Sequence, residues 1–154
     1  MVKDLFPRRR NRVEHDHQCS FFSWLRLNAQ KHHELKLFHA IPNGGARDHG
    51  TAIGLYLEGV TPGILDTHLP LARNGRAGLW IEFKAGRNDL STVQREIKAM
   101  LEAEGHEVYV VREWTEAARI TVAYLGLRGV QVPPPPPPPP HHDDRPSGPS
   151  RSRT

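Results

Sequence analysis

Asp66, Glu82 and Lys84 are the residues of this 154-residue chain whose types and spacing support chemistry. Glu82 and Lys84 belong to the run Gly78-Leu79-Trp80-Ile81-Glu82-Phe83-Lys84, which reads as a buried β-strand. Alternation along a strand sends Glu82 and Lys84 to one face and Ile81 and Phe83 to the other. Charged groups beside so much apolar surface are costly unless they are paired or hold a metal. Asp66 is the expected partner, because it lies in the preceding apolar run, 64–71, which a turn rich in Arg, Asn and Gly (72–77) joins to the strand as a hairpin. Two carboxylates on adjacent strands suit Mg²⁺, a hard cation that takes oxygen ligands and keeps several waters. Such an ion polarises a phosphoryl oxygen and lowers the pKa of a bound water. Lys84 would orient that water or offset the charge developing on the phosphate. The bland alternative is an ordinary ion pair on a solvated strand face, since short motifs match by chance.

Three further groups stand near this trio in the pattern. Glu14, followed at helical spacing by Gln18, Phe22, Leu25 and Ala29, tops the stripe that should face the core. It reads either as a third acidic group aimed at Asp66 and Glu82, with Gln18 as its hydrogen-bonding neighbour, or as a first-turn residue favoured by the helix dipole. Pro42-Asn43-Gly44-Gly45 is a tight turn or a loop that lets substrate approach the backbone, and Arg47 beyond it reads as a phosphate contact or an unpaired surface residue. Ser91-Thr92-Val93-Gln94 has the form of a capping box, so Gln94 is a cap residue that also lies within reach of the site.

The elements that must position these side chains follow from periodicity. A helix is expected over 12–30, a strand over 35–41, a helix over 48–58 with Gly59 ending it, the two hairpin strands, a helix over 91–104, a strand over 107–112 and a helix over 115–125. Val93, Ile97, Met100 and Leu101 form the expected apolar face of the helix over 91–104, and Gly105 stops it. Residues 133–140 are an unbroken proline run, expected to form polyproline II roughly 25 Å long at about 3.1 Å per residue. The segment after it has little to bury and is expected to be disordered.

Charge is uneven. Residues 1–13, with Lys3, Arg8, Arg9, Arg10 and Arg12, carry +4; residues 133–154 carry +1; this leaves −1 for 14–132 of the total of +4. A basic arm suits phosphate contacts that add affinity without reading sequence, or simply solubilises the terminus. The single cysteine, Cys19, excludes an internal disulfide framework and fits a reducing interior. With no run of 18 apolar residues and no apolar signal segment, the expectation is a soluble, intracellular protein with no membrane association.

The joint order of these motifs resembles the PD-(D/E)xK nuclease superfamily, and within it the VRR-NUC branch of virus-type replication and repair nucleases. The resemblance spans 14–125 and is carried by Glu14 with Gln18, Pro42-Asn43-Gly44-Gly45 with Arg47, Gly59-Val60 leading to Gly63 and Asp66, Glu82-Phe83-Lys84, and Ser91 with Gln94. It implies an α/β fold with a restriction-endonuclease-like core, a central mixed sheet flanked by helices in αβαββαβα order. It divides the chain into a basic arm (1–13), a nuclease domain (14–130) and a proline-rich tail (131–154). It makes Asp66 and Glu82 metal ligands with the Phe83 carbonyl as an extra oxygen, Glu14 an acidic contributor, Lys84 the residue beside the attacking water, and Gln94 a site neighbour. Arg8, Arg9, Arg10, Asn43, Gly44, Gly45 and Arg47 are then the nucleic-acid contacts. The implied reaction is Mg²⁺-dependent phosphodiester hydrolysis, with Mn²⁺ as substitute and no small-molecule cofactor, leaving a 5′-phosphate. The implied partner is DNA, branched as in four-way junctions, cut by a homodimer. One departure is Leu65, where the family commonly has proline before the aspartate.

Two other classes stay open at this point. One is a nucleic-acid-binding module of the same fold without turnover. The other is a histidine-based metal enzyme built from His15, His17, His32, His33, His39, His49 and His68, although no spacing among them matches a compact zinc motif.

Overall fold

A computed structural model describes residues 12–42 and 49–134. In order these form α1 (Arg12–Asn28), a 3₁₀ turn (His33–Leu37), β1 (His39–Ala40), α2 (His49–Leu57), β2 (Thr67–Leu69), β3 (Leu79–Phe83), α3 (Thr92–Ala103), β4 (Glu107–Val111) and α4 (Trp114–Leu125). The sheet order is β1-β2-β3-β4. β1 and β3 each run antiparallel to β2, while β4 runs parallel to β3. A parallel neighbour needs a crossover connection, and α3 supplies it. The result is an α/β restriction-endonuclease-like core: a mixed four-stranded sheet flanked by helices, in the αβαββαβα order that the sequence implies.

β3 is buried at all five positions, because both faces of the sheet are covered. Leu79, Ile81 and Phe83 join Phe21, Trp24 and Leu25 of α1 and Ala117, Ala118 and Tyr124 of α4 in the main core. Trp80, on the other face, packs with Leu65 and Val108, and Leu101 of α3 lies against them. α1 therefore presents Phe21, Trp24, Leu25 and Ala29 inward, with Phe22 only half-buried, a line about one residue round from the expected stripe. α3 buries none of its residues fully, and the expected apolar positions Val93 and Met100 are exposed. Ile97 and Leu101 are half-buried, and Leu101 packs against the sheet cluster of Leu65, Trp80 and Val108.

The expected strand over 35–41 is mostly something else. Alternation would turn Leu35, Leu37 and His39 to one side, but Leu35 and Phe38 are the buried pair and Leu37 is half exposed. A spacing of three fits a 3₁₀ turn, in which residues i and i+3 eclipse. Strand geometry then survives only at His39 and Ala40. The first hairpin strand is likewise short: Pro70, which has no N–H for a ladder, follows Leu69 at one end. Among the described residues no helix is long and apolar enough to cross a membrane. Arg8, Arg9, Arg10, Asn43, Gly44, Gly45, Arg47 and the proline run from residue 135 onward lie outside the described residues.

Candidate active site

The start of β2 and the end of β3 meet at a point where backbone pairing gives way to carboxylates. The ladder pairs Thr67 with Ile81, and one step further along Asp66 and Glu82 face each other. Instead of continuing the ladder, the Asp66 N–H donates to Glu82 Oε2 at 2.9 Å, and the Phe83 N–H donates to Asp66 Oδ2 at 3.1 Å. Each acid thus closes on the other residue's strand. The N–H and C=O of one extended residue leave the same edge of a strand, so the Phe83 carbonyl faces this edge too, while the Lys84 N–H bonds to Val111 on the opposite side.

Asp66 is 9% exposed and Glu82 2% exposed, so neither charge is solvated by bulk water. Lys84 Nζ sits 2.8 Å from Glu82 Oε1. It also donates to Gln94 Oε1 at 3.0 Å, and Gln94 Nε2 donates to the same Glu82 Oε1 at 2.6 Å. Gln94 does this from the first turn of α3, where the capping box is complete: its backbone N–H donates to Ser91 Oγ, and its Oε1 accepts the Ser91 N–H. One residue serves as helix cap and site member, which reconciles the two readings of its spacing. Burial, and next the Asp66 carboxylate, push the Glu82 carboxyl up to about 7, against the pull of Lys84 in the other direction.

Glu14 stands one residue beyond Lys84, where its Oε1 accepts the Ala85 N–H at 2.9 Å and the Asn88 side-chain amide at 3.5 Å. Among the described residues no group of three His, Cys, Asp or Glu side chains comes together to hold an ion. Glu14 bonds the chain leaving β3, and the two carboxylates that close on each other's strands are those of Asp66 and Glu82. Gln18, expected as Glu14's neighbour, has a buried Oε1 that accepts no hydrogen bond among the described residues. The donor set available to a metal is two carboxylates and a strand-edge carbonyl, all hard oxygens, with remaining positions open to water. Glu82 Oε2 uses one of its two lone pairs on the Asp66 N–H and keeps the other. That set fits Mg²⁺ or Mn²⁺, and it fits poorly the softer ions that choose thiolate or imidazole.

A row of rings that sequence reasoning did not assemble lies next to the acids on the same sheet face. His68 stacks on Trp80 with ring centroids 4.1 Å apart, and His39 and His106 meet His68 edge-on at 5.4 and 5.9 Å. Trp80 Nε1 donates to His106 Nδ1 at 3.3 Å. Burial, with His39 and His106 adding to it, lowers the His68 pKa to about 4, so its ring is neutral near pH 7. The only sequence signal for this row was a His and a Trp at alternating positions of two strands whose register was not yet known. A groove of about 1020 Å³ lies elsewhere, between α1 and residues 129–134, and is lined by Trp24, Leu27 and Trp114 rather than by the acids.

No protein-family model and no curated protein matches this sequence. A solved structure named "VRR_NUC domain protein" is similar in fold, with a TM-score of 0.62 and 24% sequence identity over 75% of this chain and 89% of that one.

Proposed function

We propose that this chain is a nuclease of the VRR-NUC type, a hydrolase of phosphodiester bonds in DNA that works with Mg²⁺, or Mn²⁺ in its place. The observation that carries the reading is the reciprocal closure of Asp66 and Glu82 at the end of β3, with Lys84 bonded to the second acid. The likeness to a VRR_NUC domain structure supports it from the side of fold. A bound divalent ion would supply Lewis acidity and a water of lowered pKa. Asp66, Glu82 and the Phe83 carbonyl would hold it. Lys84 keeps a positive charge where negative charge gathers on the phosphate, and Gln94 holds both the Lys84 amine and the Glu82 carboxylate in place from a capped helix. Such an arrangement suits in-line displacement of the 3′ oxygen and a 5′-phosphate product.

The finer reading is a homodimer acting on branched DNA such as a four-way junction, since two opposed cuts in a symmetric substrate suit a two-fold enzyme. It rests on the family resemblance. The test incubates the full chain with linear, flapped and four-way DNA, with Mg²⁺, with Mn²⁺ and with chelator, beside Glu82→Ala. Metal-dependent cutting that Glu82→Ala loses is expected. Binding without cutting under every condition would overturn the hydrolase and leave a binding module of the same fold.

A further inference from the structure

The loop 85–90 begins one residue after Lys84 and ends one residue before Ser91, so both of its ends are tied to the site. It is held by side chains from three other places. Glu14 of α1 accepts the Ala85 N–H at 2.9 Å. Arg112, just past β4, spreads its guanidinium over two loop carbonyls, Nε to Gly86 O at 2.7 Å and a terminal nitrogen to Asn88 O at 3.0 Å. Arg95 of α3 donates to Leu90 O at 2.6 Å and lies 3.8 Å from Asp89. Inside, the Asn88 N–H closes on Ala85 O at 2.9 Å, and Gly86 takes φ +54°, a conformation that favours glycine.

So many fixings on a six-residue stretch that is buried at both ends and exposed at 86–89 hold one residue out. Arg87 sits at the apex with an exposed side chain and makes no hydrogen bond or ion pair among the described residues. Chain geometry keeps its Cα within about 11 Å of that of Lys84. A guanidinium on such a stem reaches a phosphate next to, or one beyond, the linkage that the acids would cut. Arg95 and Arg112 are engaged on loop carbonyls and on Asp89, and their charge is offset by Glu14 and by Glu116, whose Oε2 accepts the Arg112 backbone N–H at 3.3 Å. Arg87 is therefore the cation of this rim that points outward.

We propose that residues 85–90 form a prebuilt phosphate-binding rim beside Asp66 and Glu82, with Arg87 its contact to the nucleic-acid backbone and Arg112 the brace that presents it. This rests on the nuclease reading and assigns its substrate contact to residues other than the basic arm. Phosphate contacts of this kind fix register without reading sequence, so Arg87 acts equally on DNA of any sequence. Arg112 is a positioning residue: its planar fork spans two carbonyls, which a lysine cannot do.

The test measures binding of labelled DNA by the full chain in chelator, where cutting is stopped, over a series of salt concentrations. Arg87→Ala is expected to raise Kd about tenfold at low salt, as loss of one charge-assisted bond does, and to lower the slope of log K against log salt by about 0.9. Arg112→Lys keeps the net charge, so it should weaken binding severalfold with an unchanged slope and speed amide exchange at 86–88. Adding it to Arg87→Ala should cost nothing more, because a brace without its contact has nothing to present. Arg128→Ala, beyond the far end of α4, is the control and should bind as the unaltered chain. Unchanged binding and slope in Arg87→Ala would overturn the proposal, and full additivity of the two substitutions would overturn the brace. Failure of the unaltered chain to bind DNA at low salt would instead overturn the nuclease reading.

Discussion

The Glu82 carboxyl is raised from 4.5 to about 7 in the fold, so between those values the folded chain holds a proton that the unfolded chain has lost. Its contribution to stability is complete below about 4.5 and is lost as pH rises through 7. In chelator, the melting temperature should therefore fall as pH climbs across that window, on the order of 3 kcal/mol in all for a shift of this size. Glu82→Gln should flatten the decline, because an amide keeps its charge state; calorimetry of the two proteins between pH 4 and 8 checks this. A cation bound by the two acids must displace that proton, so binding of Mn²⁺ below pH 7 should release about one proton. Titration calorimetry in buffers of different ionisation enthalpy measures the release. On the nuclease reading Asp66→Asn removes one of the two proposed ligands while keeping the shape, and should cost cleavage more than the roughly hundredfold typical of losing an outer partner of a metal ligand. These two acids were legible in the sequence because carboxylates in apolar strands demand an explanation. The role of Glu14 was not, since spacing gives the face of a helix but not which N–H the acid will meet.

At the scale of elements, the site depends on how α3 is set against the end of β3. Ser91→Ala removes the cap and should cost about 1 kcal/mol by denaturant unfolding. It also loosens the turn that carries Gln94, whose backbone N–H loses Ser91 Oγ while its Oε1 keeps the N–H of residue 91. On the nuclease reading, kcat for DNA cleavage should then fall further than stability alone explains. Gly63, in the turn leading to Asp66, lies against the same helix: a Cβ there would come within 2.6 Å of Val93 Cγ1, at φ +80°. Gly63→Ala should lose roughly 1–3 kcal/mol to backbone strain, and more to the clash. Val93→Ala in the same chain should return most of the clash component, since it removes Cγ1 and leaves only a Cβ approach of 3.2 Å, and Val93 is half exposed so its loss costs little. The capping box was readable four residues at a time. The 3₁₀ turn was not, because Leu35 and Leu37 fit an alternating pattern as well as Leu35 and Phe38 fit a period of three, and only packing against Phe21 decides between them.

For the whole molecule, the order of helices and strands was legible because the segments carry their own punctuation, Gly59 and Gly105 among the stops. The sheet's register was not, and with it went the ring row, since cross-strand neighbours exist only once strands are aligned. The basic character that composition places at the start of the chain leads to a further expectation. Removing residues 1–11 deletes Lys3, Arg8, Arg9 and Arg10, and should weaken DNA binding uniformly across sequences, with a shallower salt dependence. Anisotropy on two unrelated duplexes would measure it, and a loss confined to one duplex would contradict it. Finally, Trp80 lies two residues from Glu82 on the same face of β3, its indole stacked on an imidazole that stays neutral down to a pH of about 4. A protonated ring there would quench indole emission, and a neutral one leaves it bright. The chain consequently carries an optical gauge beside its acids: with the His68 ring neutral at ordinary pH, light emitted from Trp80 should respond to what arrives at Asp66 and Glu82.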